Sequence, residues 1–161
     1  SGLKLKNRFI RSATYYGTAD EHGHMTEALF RIYEDLAKGG VGTIITGMAA
    51  VCGSERLVPH QIGIFNDSFL DEYKKLTAMV HQYKANIAVQ LISVGFQKFL
   101  SAVPGKVVWV PSVIEEAGHN NVAAKAMTQE DIIAMQEAFA EAALRAKTAG
   151  FDGVQIHAGH E

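Results

Sequence analysis

Two histidines three residues apart, His157 and His160, follow an apolar run in the sequence FDGVQIHAGH. Residue type and spacing leave three roles open. Imidazole is a good ligand for zinc, but no third ligand stands at a suggestive spacing. The histidines could instead form a structural pair. The third possibility is that both imidazole N–H groups bind one oxygen of a ligand, which would polarise a carbonyl or hold an anion.

A glutamine, Gln90, interrupts the apolar run NIAVQLIS and is a second candidate for chemistry. A buried amide without a hydrogen-bond partner costs about 1–3 kcal/mol, so Gln90 must bond either to a ligand or to a backbone group. A third candidate is the stretch Ser12, Ala13 and Thr14, which follows a short apolar run. A stretch of this type is often only a turn.

The elements that must position these residues alternate between helices and strands. Apolar residues at helical spacing predict helices near Thr26–Lys38, Ser68–Lys84 and Thr128–Thr148. Thr128 and Asp131 have the spacing of a capping box, which marks a helix start. Short or continuous apolar runs between the helices predict strands, several of them buried on both faces. These runs are NRFIRSAT, VGTIITGMAAV, NIAVQLIS and FDGVQIHA.

Strands that alternate with helices of this length are typical of βαβ units and a parallel sheet. The pattern alone leaves two α/β architectures open, an open doubly wound sheet and a (β/α)₈ barrel. In both, sites form at the carboxyl ends of the strands. This rule selects residues 12–15, 46–50, Gln90 with Ser93, and the two histidines.

Composition excludes several function classes. The 161 residues are 48% hydrophobic and 20% charged, as in a soluble globular domain. The net charge is −2 without a basic patch, which argues against a nucleic-acid partner. No apolar run approaches the ~20 residues of a membrane span, and the single cysteine, Cys52, allows no intrachain disulfide. We therefore expect a cytoplasmic protein. The GxGxxG, Walker A, GxSxG and HExxH motifs are absent.

Seven segments, in the same order and over essentially the whole chain, resemble the old yellow enzyme family of FMN-dependent NADH:flavin oxidoreductases and ene-reductases. The segments are LKNRFIRSAT, GGVGTIITGMAAV, GIFND, VQLISVG, PSVI, MTQEDI and AGFDGVQIHAGH. The family fold is a (β/α)₈ TIM barrel of ~250 residues, so the resemblance selects the barrel. It implies that residues 1–161 are the N-terminal half of an FMN-binding barrel domain, with about the first four βα units.

The resemblance also implies roles for individual residues. Positions that match flavin contacts in the family are Ser12, Ala13, Thr14, Met48 and Gln90. The glutamine matches the residue that bonds the pyrimidine edge of the flavin, and the Ser-Ala-Thr stretch matches the loop beneath the ring. Tyr15 stands where many members have a Thr or Cys that tunes the flavin. Ser93 and Phe96 replace a His and an Arg that are common in the family, which indicates a different substrate side of the pocket.

His157 and His160 match the pair that binds the substrate carbonyl or a phenolate above the flavin. The resemblance implies FMN as cofactor and NADH or NADPH as reductant, with no metal. It implies two hydride transfers at one site, the second to the β-carbon of an activated alkene such as an enone.

Barrels of this type hold the phosphate of FMN with loops after strands seven and eight. Glu161 stands where the family has glycine, before a tyrosine that donates the final proton. We therefore expect the activity in the full-length barrel and not in this chain alone. A rival reading is a non-catalytic half-barrel that self-associates through its two unpaired edges as an assembly module. A second rival is a small doubly wound domain for another ligand.

Overall fold

The structure, a computed structural model, describes residues 2–53, 58–93, 107–112 and 123–159. Within these ranges the strands, in chain order, are β1 (Ile10–Arg11), β2 (Thr43–Ala50), β3 (Asn86–Ile92), β4 (Val107–Val110), β5 (Ala123–Ala126) and β6 (Gly153–Ile156). The main sheet has the order β1-β2-β3-β6, and β4 pairs with β5 separately. All of these pairings are parallel.

The helices confirm the predicted βα alternation. They are α1 (Glu27–Lys38), α2 (Leu70–Gln82) and α3 (Gln129–Thr148), and a 3₁₀ turn over Asp67–Phe69 precedes α2. The predicted capping box at Thr128 is present, because the Thr128 hydroxyl accepts from the Asp131 backbone N–H and the Asp131 carboxylate accepts from the Thr128 N–H. Both hydrogen bonds satisfy N–H groups that a helix start otherwise leaves open.

Two glycines repeat the same joint between a helix and the following strand. Gly40 follows α1 and Gly150 follows α3, and both have φ of +89°. This left-handed conformation is strained for residues with a Cβ, so glycine is needed to turn the chain from the helix into the sheet. The matching LAKGGVG and RAKTAGFDG segments of the sequence thus form equivalent turns.

The hydrophobic core lies between one face of the main sheet and the helices. Ile44 of β2 and Ile87, Val89 and Leu91 of β3 are at most 1% exposed. They pack with buried helix residues, which are Tyr33, Tyr73, Leu76, Val80, Ala142 and Ala146. The helical spacing of apolar residues predicts that Ile132 also faces inward from α3, and this prediction is wrong, since 36% of the residue is exposed. Its neighbours Met135 and Phe139 are only partly buried and line an apolar groove with Ile156.

The strand order distinguishes the two architectures that the sequence pattern left open. A doubly wound sheet reverses its strand order at a switch point. In the described main sheet each strand instead lies beside the strand of the next βα unit, as in the wall of a barrel. The chain has the fold of a partial (β/α)₈ barrel. β1 is shorter than the predicted run NRFIRSAT. β4 lies in the segment KVVWVPSVI, where the sequence predicts local structure within the long connection before α3.

No helix in the described ranges is long and apolar enough to span a bilayer.

Both edges of the main sheet carry exposed apolar side chains. At the β1 edge Phe9 is 75% and Ile10 is 52% exposed. At the β6 edge Val154 is 44% and Ile156 is 63% exposed. Their register partners Val89 and Leu91 on β3 are buried, so β6 presents the same apolar surface without a cover. Unpaired edges of this kind are templates for association.

We predict that the 161-residue chain associates at micromolar concentration, because both edges can bury apolar surface against a second copy. The double variant Val154→Lys, Ile156→Lys should weaken this association by about tenfold or more, since charged edge residues oppose pairing. Sedimentation velocity over a concentration series measures the effect. The control is Leu144→Lys, which adds a lysine at an equally exposed apolar residue on α3 and should leave association unchanged. A parent chain that sediments as a monomer and melts cooperatively would contradict the prediction.

Candidate functional site

Three residues form one row across the carboxyl-terminal part of the main sheet. Met48 of β2 is the register partner of Gln90 of β3, and Gln90 is the register partner of Gln155 of β6. Register partners in a sheet project from the same face. We call Met48, Gln90 and Gln155 the site row. Its face is opposite to the core, because the next row along the strands includes the buried residues Ala49 and Leu91.

The side-chain amide of Gln90 is held by a second amide. Its Nε2 donates to Oε1 of Gln155 over 2.8 Å, and its backbone N–H donates to the hydroxyl of Thr46 over 3.2 Å. The sequence predicts a ligand or a backbone group as the partner of the Gln90 side chain, and the partner in the described chain is instead the side chain of Gln155. Within the described ranges, this bond leaves the carbonyl oxygen and the second N–H of the Gln90 amide available, since one amide offers four hydrogen-bonding sites.

A bulge in β2 sets the position of Met48. The pairing of β2 with β3 shifts between Ile45 and Met48, so Thr46 and Gly47 fall inside the irregularity. The Gly47 N–H donates to the hydroxyl of Tyr33 over 3.0 Å, and the Thr46 hydroxyl donates to the Gly47 carbonyl over 2.9 Å. Bulges re-aim side chains and are common beside functional sites. Here the bulge brings Met48 into register with Gln90.

Tyr33 supports the bulge from inside the core. It lies on α1 and is only 1% exposed, and burial raises the pKa of its hydroxyl well above the usual value. The hydroxyl is therefore neutral and can accept the Gly47 N–H at any ordinary pH. Without it, that buried N–H would lack an acceptor, which is costly.

The loop of Ser12, Ala13 and Thr14 lies against the same glycine. A Cβ added at Gly47 would stand 2.7 Å from the Thr14 carbonyl oxygen, closer than real Cβ contacts allow. Within the loop the Thr14 hydroxyl donates to the Ser12 carbonyl over 3.2 Å. The absence of a side chain at Gly47 thus lets the loop after β1 approach the end of β2.

Tyr15 continues this loop. Its hydroxyl donates to the carbonyl of Pro59, in the segment after β2, and burial raises the pKa of the phenol. This contact ties the loop after β1 to the loop after β2. The tyrosine at position 15, which differs from the residue common in the family, is therefore held by a hydrogen bond within the chain.

His157 follows β6 directly. Its backbone N–H donates to the Leu91 carbonyl over 2.9 Å, which extends the pairing of β6 with β3 by one residue. Because side chains alternate along extended chain, His157 lies on the same face as Gln155, two residues earlier. His160 and Phe96 lie outside the described residues, and Ser93 directly follows β3.

The described chain therefore brings Met48, Gln90 and His157 to one face, with the Ser12–Thr14 loop beside them through Gly47. Tyr33, Gly47 and Gln155 were not among the site residues predicted from the sequence. Two signals were available. Gln155 and His157 alternate as polar residues within the apolar run VQIH, and Gly47 stands inside a strand pattern, where glycine marks a bulge or a close approach.

Within the described ranges no three His, Cys, Asp or Glu residues are placed to hold a metal ion.

We predict that Tyr33→Phe lowers the free energy of unfolding by about 1–3 kcal/mol, because the buried Gly47 N–H loses its acceptor. Chemical denaturation measures the change. The control is Tyr83→Phe, which removes a hydroxyl that donates to the Glu34 carboxylate and should cost less than about 0.5 kcal/mol. Equal effects of the two variants would show that the Gly47 contact adds nothing.

We predict that Gly47→Ala lowers the free energy of unfolding by about 1–3 kcal/mol, because its Cβ meets the Thr14 carbonyl and must displace the loop. Gly153→Ala is the matched control. Its Cβ would meet only the Ala88 Cβ at 4.0 Å, an ordinary contact, so it should not destabilise the chain. Urea titration of both variants gives the comparison, and a neutral Gly47→Ala would contradict the close approach.

Comparisons with known proteins agree with this fold. NADPH dehydrogenase of Geobacillus thermodenitrificans is 34% identical over 160 residues, which are 99% of this chain and 46% of the relative. Cinnamate reductase of Clostridium sporogenes is 34% identical over 167 residues, with 99% of this chain and 25% of the relative covered. Among solved structures, the Old Yellow Enzyme of Pichia sp. AKU4542 superposes with a TM-score of 0.83 at 25% identity, over 96% of this chain and 43% of that one.

The chain spans at most about half the length of these relatives. The sequence profile of the NADH:flavin oxidoreductase / NADH oxidase family matches residues 2–161, so nearly every residue of the chain takes part in the match. The chain therefore belongs to the NADH:flavin oxidoreductase / NADH oxidase family.

Proposed function

We propose that this chain supplies the flavin-ring and substrate-binding half of an FMN-dependent oxidoreductase that passes hydride from NADH or NADPH, through FMN, to an activated alkene. The observation that carries the proposal is the placement of Met48, Gln90 and His157 on one face at the carboxyl ends of adjacent parallel strands. Family membership supports it, with FMN and NAD(P)H as the family's cofactors. The activity is proposed for a complete barrel that contains this chain.

The donor set of the site fits the ring of FMN. A flavin presents an imide edge, in which an N–H stands between two carbonyl oxygens. Gln90 offers the complementary pair, one carbonyl oxygen and one N–H, after its other N–H is used by Gln155. Gly47 lacks a side chain, which lets the Ser12–Thr14 loop lie against the end of β2, next to Met48 of the site row. This agreement supports Ser12, Ala13, Thr14, Met48 and Gln90 as the flavin contacts.

The residues of the chain bind and orient, whereas bound FMN would supply the hydride chemistry. Gln90 would fix the rotation of the ring in its plane, and the loop would support one side of the ring. Met48 would contact the ring edge through its backbone or side chain. His157, together with His160, would donate to the carbonyl oxygen of the substrate and stabilise the charge that develops there, a contribution of about 3–4 kcal/mol for a well-placed donor.

The names of the relatives support the substrate class. One is an NADPH dehydrogenase and another a cinnamate reductase. Cinnamate carries an alkene conjugated to a carboxylate, and such an alkene accepts hydride at the β-carbon when its oxygen is bound by donors. Two imidazole groups suit that oxygen.

We predict that this chain alone binds FMN at least about a thousandfold more weakly than a complete barrel that holds the chain and the remaining half of its relatives' length. The phosphate carries up to two negative charges, and in such barrels loops after the last strands hold it. Losing several charge-assisted hydrogen bonds, at about 1.5–3 kcal/mol each, exceeds that difference. Flavin fluorescence titration of both proteins measures it. A complete barrel that takes no FMN would overturn the proposed function.

We predict that His157→Ala with His160→Ala in the complete, FMN-loaded barrel lowers kcat/KM for enone reduction by about 10²–10³-fold, since both oxygen donors are removed. Binding of simple phenols, followed by the change in flavin absorbance, should be lost as well. The control is His22→Ala, because the His22 side chain is 74% exposed and pairs only loosely with Glu21. If the double variant binds phenols and reduces enones like the parent, the histidines are structural.

A non-catalytic half-barrel that assembles with copies of itself is the second candidate. The exposed apolar residues at both sheet edges, Phe9 and Ile10 at β1 and Val154 and Ile156 at β6, favour it. The two candidates differ in flavin content. The enzyme half should give a yellow complete barrel, and the assembly module should give a colourless protein whose association follows the edge residues.

A further inference from the structure

We propose that Gln155 is a positioning residue that fixes the amide orientation of Gln90, so that the carbonyl oxygen of Gln90 is presented to the imide N–H of the flavin. This inference rests on the proposed function, in which Gln90 contacts the flavin ring. It adds a residue of β6, on a different βα unit, to the recognition of the ring edge.

The geometry of the site row carries the inference. Gln155 and Gln90 are register partners on adjacent strands, and Oε1 of Gln155 accepts from Nε2 of Gln90 over 2.8 Å. Directly opposite side chains in a sheet are neighbours by construction, so strand pairing keeps the two amides within reach of each other. The Gln90 backbone is fixed as well, by its hydrogen bond to the Thr46 hydroxyl.

An amide needs such a partner to present a defined edge. The oxygen and the nitrogen of a glutamine amide exchange places when the group rotates by half a turn, and the two ends differ only in what they can bond. With an acceptor at position 155, Gln90 turns its nitrogen toward β6 and its oxygen toward the ligand. In the reversed orientation two carbonyl oxygens would face each other, unless Gln155 also rotated.

The orientation of the Gln90 amide therefore depends on the hydrogen-bonding groups of the residue at position 155 and not on the size of that residue. A glutamate there is an acceptor only and cannot reverse, so it should hold Gln90 in the same orientation. A methionine has similar length but no strong acceptor, so Gln90 should lose its preferred orientation. The two substitutions thus have opposite consequences for the ring edge, although both keep the backbone and the side-chain volume.

The test uses the complete FMN-loaded barrel and two ligands, FMN and FMN methylated at the imide nitrogen, which lacks the N–H. In the parent, methylation should weaken binding by about tenfold or more, the equivalent of one lost hydrogen bond. Gln155→Met should reduce this ratio to within about threefold, and Gln155→Glu should preserve it. Gln82→Met is the matched control, because Gln82 lies exposed at the end of α2, and it should preserve the ratio.

A second measurement tests whether the side chain at position 155 lies beside the bound ring. The midpoint potential of bound FMN should fall in Gln155→Glu, because a carboxylate beside the ring disfavours the extra negative charge of the reduced flavin. The potential should stay unchanged in Gln82→Met. If methylation weakens binding equally in the parent and in Gln155→Met, the inference about Gln155 is wrong while the proposed function stands. If the parent takes no FMN, both are wrong.

Discussion

The hydrogen bond from the Gly47 N–H to the buried hydroxyl of Tyr33 is the contact on which the site depends most. It fixes the point at which β2 leaves regular pairing with β3, and this irregularity decides which β2 residue stands beside Gln90. It also decides where the loop after β1 rests, because Gly47 is the position that the Thr14 carbonyl approaches. A core residue on α1 thereby sets the relative position of two segments on the opposite side of the sheet.

Parallel pairing then extends this placement across the sheet. β6 pairs with β3 in a register that puts Gln155 beside Gln90, and one further backbone hydrogen bond places His157 beyond it. Each strand comes from a separate βα unit. The turn from each helix to the next strand must therefore bring that strand into the sheet in the correct register. Gly40 and Gly150 make two of these joints with the same φ, and each glycine stands three residues before the first residue of the strand that follows it.

Sequence reasoning reached the elements of this fold because they depend on local patterns. Helical spacing and the caps at Thr26 and Thr128 located α1 and α3 within one residue of their observed starts, and apolar runs located β2, β3 and β6. The choice between a doubly wound sheet and a barrel needed the strand order, which no local pattern contains. The inward position expected for Ile132 on α3 was wrong because periodicity gives a face of a helix but does not say what covers it.

The candidate site was predictable to the extent that strand ends and an amide within an apolar run could be recognised. Gln90 stood out as a polar residue in an apolar run, but its partner Gln155 depends on the register of two strands separated by more than sixty residues. The sequence predicts Tyr33 only as a core residue. The role of its hydroxyl, which accepts the Gly47 N–H, depends on the bulge in β2, and no local pattern predicts that contact.

The two faces of the main sheet have different surroundings. On β3, Val89 and Leu91 are buried against the helices, whereas Gln90 between them belongs to the open face. Alternation along one strand thus uses one set of residues for packing against the helices and leaves the other set for the proposed contact with the flavin ring. Side chains on the open face can consequently be exchanged at little cost to the stability that the packed face provides.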